Sequence, residues 1–209
     1  MLETTCVIKT LGRPTLENAI RSAKREKLKP LIISDGVPLS KKRCLGCKHV
    51  VLGRNWGFYG GMAANVAAAL IKTPYITFLD DDDEFVEGAG DIIREKINSD
   101  PSVDIWIAGL LFDYEIDLTR NGERVLRSNK LSIYPEYGVS VGNCSMPTYK
   151  TEIFGKVPFK DVMPEEHAPL TDLAHVQECQ RVGYKVDWFQ EVLYHVRPKL
   201  VGANGGGQK

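Results

Sequence analysis

The chain has 209 residues, with 27 Lys and Arg against 27 Asp and Glu, 43% hydrophobic and 26% charged residues. A chain of this length can bury about 70% of the surface its unfolded form exposes, which excludes a disulfide-stapled mini-protein. Ordinary apolar content and a net charge of zero argue against dominant disorder and against nucleic acid as the default partner.

In chain order, Thr5 to Ile8 reads as a strand, and Leu16, Ala19, Ile20 and Ala23 fall on one helical face with Thr15 as the expected cap. Pro30 to Ser34 is a second strand, closed by Asp35-Gly36, and His49 to Leu52 a third. Gly60 to Leu70 reads as an alanine-rich helix whose small side chains permit close approach to a sheet. Tyr75 to Leu79 is expected as a central strand, and the acidic run Asp80 to Glu84 follows at once. A helix over Ala89 to Asn98 and a strand over Asp104 to Phe112 complete the regular first half.

From Asp113 to Pro135 the pattern fits either antiparallel strands around Asn121-Gly122 or a loop. Lys150 to Phe154 suggests a short helix, and Leu173, Val176 and Val182 a longer one ended by Gly183. Two late strands are predicted, Lys185 to Phe189 and Val192 to Val196, and the glycine-rich residues 202–209 form a flexible tail. Strands alternating with helices imply an α/β fold with a mostly parallel central sheet flanked by helices. One domain is expected over residues 1–201.

The odd set Cys6, Cys44, Cys47, Cys144 and Cys179 reads as free thiols, with Cys44 and Cys47 at most half of a zinc site. The amino terminus shows no secretory pattern, and the longest largely apolar stretch, Met62 to Ile71, is well short of the roughly 20 residues a bilayer span needs. A cytoplasmic protein without stable membrane insertion is expected.

Ligands of open α/β sheets bind outside the carboxyl ends of the strands. Thr10 and Arg13 follow the first strand, Asp35 the second, and the acidic run the strand ending at Leu79, so three separated segments should meet at one edge. Adjacent aspartates at the end of a buried strand repel one another, a conflict that a hard cation such as Mg²⁺ or Mn²⁺ relieves. A solvated loop or an acidic helix start is the plainer alternative. No G-x-G-x-x-G follows the first strand and no P-loop is present, which disfavours nicotinamide and P-loop enzymes.

The ordered segments Val7-Ile8-Lys9-Thr10-Leu11-Gly12-Arg13, Ile33-Ser34-Asp35-Gly36, Gly60-Gly61-Met62-Ala63-Ala64-Asn65 and Tyr75 to Asp83 resemble family 2 glycosyltransferases of the GT-A fold, with Phe159-Lys160-Asp161, Thr171-Asp172-Leu173 and Gly183 to Val186 continuing the likeness. The resemblance implies a Rossmann-like domain with a nucleotide-sugar-binding half (residues 1–100) and an acceptor-binding half (residues 101–201). It implies a nucleotide-sugar donor of UDP type, held by Thr10, Arg13, Asp35, Asn65, Asp80 and Asp81, with Asp35 accepting from the base. Asp80 and Asp82 would be the D-x-D pair, Asp82 and Asp80 ligating Mn²⁺ or Mg²⁺ with His195 as a further ligand. Asp172 would be the base that deprotonates an acceptor hydroxyl in an inverting displacement. An ordinary acid at a helix start and an ordinary strand histidine are the plain readings of Asp172 and His195.

The sequence departs from the family where Lys9 stands for Pro, Ser34 for an acid, Ala64 for Arg and Thr171 for Glu; Arg54 or Lys72 would replace the missing arginine. Trp56, Phe58, Tyr59, Trp106 and Trp188 are candidates to stack on rings, with the core as their alternative. A metal-dependent glycosyltransferase is the leading expectation. Mg²⁺-dependent nucleotidyl or phosphoryl transfer and a non-catalytic sugar-nucleotide binding module are the rivals, and the acceptor class stays open, a modified nucleobase included.

Overall fold

A computed structural model describes residues 3–57, 60–112, 116–120, 123–127, 147–160 and 171–196. Its strands are β1 (Thr4–Thr10), β2 (Lys29–Ser34), β3 (Lys48–Val51), β4 (Tyr75–Asp80), β5 (Asp83–Phe85), β6 (Ile105–Phe112), β7 (Ile116–Arg120), β8 (Glu123–Arg127), β9 (Thr148–Lys150) and β10 (Val186–Val196). The helices are α1 (Leu16–Arg25), α2 (Gly61–Leu70), α3 (Ala89–Ser99) and α4 (Thr171–Arg181), with a 3-10 turn at Thr151–Gly155.

Eight strands form one sheet in the order β3-β2-β1-β4-β9-β6-β10-β5, and β7 pairs with β8 as a separate hairpin. The run β3-β2-β1-β4 is parallel, β9 is antiparallel to both β4 and β6, β10 is parallel to β6, and β5 is antiparallel to β10. The β7–β8 pair flanks Asn121-Gly122 as antiparallel strands, as one of the two expectations had it; the rest of the stretch from Asp113 to Pro135 lies outside the described residues.

Side chains alternate across the parallel strands and fill two cores. Cys6, Ile8 and Ile32 pack with Leu16, Ile20, Ile93 and Ile97 of α1 and α3 on one face. Val7, Leu31 and Ile33 pack with Ala63, Ala64 and Ala67 of α2 and with Phe154, Phe159 and Val176 on the other. The alanines of α2 let its backbone lie close to the sheet, and a Cβ at Gly61 would sit 3.2 Å from Phe159 Cβ.

Three expectations need correction. Thr15 occupies the cap position of α1, but its backbone is helical (φ −74, ψ −14) rather than extended, so its hydroxyl makes no cap bond and is buried without a hydrogen-bond partner. The two late strands are one: both segments pair with β6, and the register shifts between Trp188 and Tyr194 absorb the interruption while Glu191 pairs with Lys96 at 2.8 Å. Val182 lies one residue beyond α4 and is exposed. Gly183, at φ +100, does end that helix: its N–H donates to Gln180 O and the Tyr184 N–H to Cys179 O, each at 3.0 Å. The predicted tail and Cys144 lie outside the described residues.

Candidate active site

β2, β1 and β4 lie side by side and parallel, with Thr10 beside Ser34 and Lys9 beside Asp80. Their carboxyl ends therefore bring Lys9, Thr10, Asp35 and Asp80 to one sheet edge, as the chain order predicts.

Asp81 organises that edge. It is fully buried, and one of its oxygens accepts from the Thr10 hydroxyl and from the N–H groups of Leu11 and Arg13, both at 3.3 Å. Its other oxygen accepts from Arg13 Nη1 at 2.5 Å. A carboxylate offers about four acceptor positions, so the loop Thr10–Arg13 fills this one. Asp81 thus builds the loop that the resemblance assigns to the donor, a task that differs from direct contact with a nucleotide.

Asp35 likewise fixes backbone: Oδ1 accepts from the Trp56 N–H at 2.8 Å and Oδ2 from the Gly57 N–H at 2.9 Å. Each oxygen retains a further lone pair. Gly36 makes the close approach feasible, since a Cβ there would lie 2.4 Å from Asn55 N. Arg54 stacks on Trp56 with its guanidinium carbon 3.8 Å from the ring centroid. Arg54 follows β3 at the site edge, whereas exposed Lys72 precedes β4 at the opposite edge, so only Arg54 is placed to replace the missing arginine.

Asp80, Asp82 and Asp83 each offer an oxygen within 4.8 Å of the others. Asp83 is buried on β5 and was not singled out by the sequence; its signal is its place as the fourth acid of the run, directly against β10. His195 sits on β10 opposite Glu84 and is not among the gathered ligand atoms. Lys9 Nζ lies 3.2 Å from Asp80 Oδ1, and Arg13 Nη1 3.3 Å from Asp82 Oδ1. Burial raises the Asp82 carboxyl above its ordinary range; Arg13 opposes the shift, and Asp80 and Asp81 add to it. Three crowded carboxylate donors suit a hard divalent cation.

Asp172 lies in the first turn of α4. It keeps part of its surface open to solvent, yet burial pushes its carboxyl up to about 7, with Lys9 opposing and Asp80 adding. Burial alone would lower the Lys9 pKa, but Asp80, Asp172 and Asp83 outweigh it and hold the ammonium above its usual range. The base candidate and the acidic cluster therefore share one electrostatic neighbourhood.

Asn65 faces away from this group in its bonding: Nδ2 donates to Phe159 O and Oδ1 accepts from the Phe159 N–H, each at 2.8 Å. Trp106 is in the core, edge-on to Tyr75, and half-buried Trp188 packs on the α2 side. His175 is stacked on Phe159 at 3.9 Å, and burial lowers its pKa to about 4. Cys6, Cys44, Cys47 and Cys179 are free thiols. Phe58 and Tyr59 fall outside the described residues.

No family model matches the sequence, and no curated protein matches it. Solved structures do. Residues 1–349 of Staphylococcus aureus TarS, in complex with UDP-GlcNAc, superpose with a TM-score of 0.70 at 12% identity over 99% of this chain. The mannosyltransferase PcManGT of Pyrobaculum calidifontis, in complex with GDP-Man and Mn²⁺, gives 0.64 at 12% identity over 97% of the chain. The fold is GT-A. This chain spans 61% of that TarS structure and 58% of the mannosyltransferase. A CMP-2-keto-3-deoxy-manno-octonic acid synthetase complexed with CTP gives 0.55 at 13% identity, over 91% of this chain and 90% of that one. Among the described residues no helix is long and apolar enough to cross a membrane.

Proposed function

We propose that the chain is a divalent-metal-dependent glycosyltransferase that moves a sugar from a UDP-type donor to an acceptor hydroxyl with inversion. The observation that carries this reading is the gathering of Asp80, Asp82 and Asp83 at the carboxyl edge of a GT-A sheet, beside Lys9, whose charge Asp172 also feels. The likeness to UDP-GlcNAc-bound and GDP-Man/Mn²⁺-bound structures supports it.

Asp80, Asp82 and Asp83 would hold Mn²⁺ or Mg²⁺, with His195 an outer partner on β10. A divalent ion held by them would supply positive charge to offset that of a leaving diphosphate. Thr10 and Arg13, fixed by Asp81, would line the phosphate side, and Asp35 would accept from the base while it holds the 54–57 turn. Asn65 would act through Phe159, keeping α2 against the acceptor-side segment. Asp172 would take the acceptor hydroxyl proton; a carboxyl poised near neutrality suits that task.

Incubating the protein with Mn²⁺ and a panel of UDP- and GDP-sugars tests the reading: nucleoside diphosphate release supports sugar transfer. The likeness to a CTP-bound synthetase favours a second reading, nucleotidyl transfer, whose product would be pyrophosphate. Donor binding by calorimetry without turnover on any acceptor would instead identify a binding module.

A further inference from the structure

Lys9 reaches the site from β1, where the resembling family often carries proline and so has no ammonium to offer. Its stem passes beneath Gly60, where a Cβ would lie 2.6 Å from Lys9 Cδ and 3.4 Å from Cγ and Cε. Gly60 precedes α2 at φ +83, a backbone state that glycine adopts without strain. Glycine is thus required both by its angle and by the lysine it covers. The ammonium emerges 3.2 Å from Asp80 Oδ1 and 5.9 Å from the Phe78 ring centroid, and its charge acts on Asp172 and Asp83 as well. A nearly buried ammonium is unfavourable unless a carboxylate pairs with it, and Asp80, which does so, is one the transfer would use.

We propose that Lys9 is a positioning residue, its ammonium held beneath Gly60 and bound to Asp80, so that this acid is set before donor arrives. The inference rests on the glycosyltransferase reading above. It also makes Lys9 a resident cation that a divalent ion must compete with for Asp80.

The test compares wild type, Lys9→Met and Lys9→Arg in Mn²⁺ calorimetry without donor, and in donor turnover with the UDP- or GDP-sugar that the wild type uses. Lys9→Met keeps the stem and removes the charge. It should lower kcat by about 30-fold or more while donor KM stays within about threefold, and Mn²⁺ should bind about tenfold tighter because the competing charge is gone. Lys9→Arg should recover most of kcat. General loosening of the site would weaken Mn²⁺ binding instead, so weaker binding, or equal loss in both variants, overturns the proposal. Unchanged kcat in Lys9→Met overturns it too. If wild type binds no Mn²⁺ and releases no nucleoside diphosphate, the glycosyltransferase reading falls and this inference with it; wild-type activity with an unaffected Lys9→Met removes the inference alone.

Discussion

The two edges of the sheet use the same residue types to opposite ends. At the amino edge, Asp104 pairs with Lys150 at 2.9 Å and Asp100 with Lys185 at 2.8 Å. The Lys185 and Ser102 hydrogen bonds hold the Asp100 carboxyl down to about 2. At the carboxyl edge, Asp80, Asp82 and Asp83 gather beside Lys9 and Arg13, and burial raises Asp82 and also Asp172 of α4. Both acids of the first edge have their own cation: Asp100–Lys185 lies in open solvent, where such pairs contribute little, and Asp104–Lys150 is half-buried. The second edge has more acids than cations and is partly desolvated, a condition found at sites that bind or react. The contrast lies in unresolved charge rather than in the number of aspartates.

Replacing Asp81 should give the largest effect. Asp81→Ala leaves Arg13 and the Thr10–Arg13 amides without their buried acceptor, and a loss of roughly 3–5 kcal/mol is expected from a broken buried pair, read by denaturant unfolding. Asp82→Ala should do the reverse: Mn²⁺-dependent donor turnover falls about 100-fold or more while the unfolding midpoint holds or rises, since a crowded carboxylate has gone. A Tm drop as large as that of Asp81→Ala would erase the distinction between builder and ligand.

Asp172→Asn should lower kcat by about 10²–10⁴-fold with donor affinity near wild type, measured by steady-state kinetics and calorimetry. Wild-type kcat should rise as pH passes through about 7, because the base works only when ionised, and that limb should be absent from the variant. Folding has the opposite sign. Between 3.8 and about 7 the folded chain holds a proton that the unfolded chain has released, so Asp172 weakens stability as pH rises across that window. At pH 8 the asparagine variant should therefore melt about 2–4 °C higher.

The smallest effect belongs to the amino edge. Lys185→Ala should barely move Tm at neutral pH. The Asp100 contribution is present above its ordinary 3.8 and is lost as pH falls through about 2, so the small Tm difference between wild type and variant should shrink across that window and vanish below it. A large loss of donor turnover in Lys185→Ala would show that the two edges are not independent.

Much of this was legible in the chain. Period-two and period-3.6 patterns gave β1, β2, β4, α1, α2 and α3 to within a residue or two, and their order brought Thr10, Arg13, Asp35 and the acidic run to one edge. The division of labour inside Asp80–Asp83 was not legible, because adjacent identical residues carry no mark of which one points inward. Asp81 is the one enclosed by the Thr10–Arg13 loop because β4 ends at Asp80 and the chain turns there toward it. The partner of Asn65 was hidden for a related reason: Phe159 is 94 residues away, and its contact is backbone. Short β5 and β9, three residues each, are too brief for periodicity and exist only through their neighbours.

The paired bonds between Asn65 and Phe159 form a rivet between halves of the chain. One plate of that rivet is the helix whose preceding residue, Gly60, roofs Lys9; the other is the backbone of Phe159, on the segment that follows the 3-10 turn. Cutting it, as in Asn65→Ala, should therefore be felt at Gly60 and at Phe159 together.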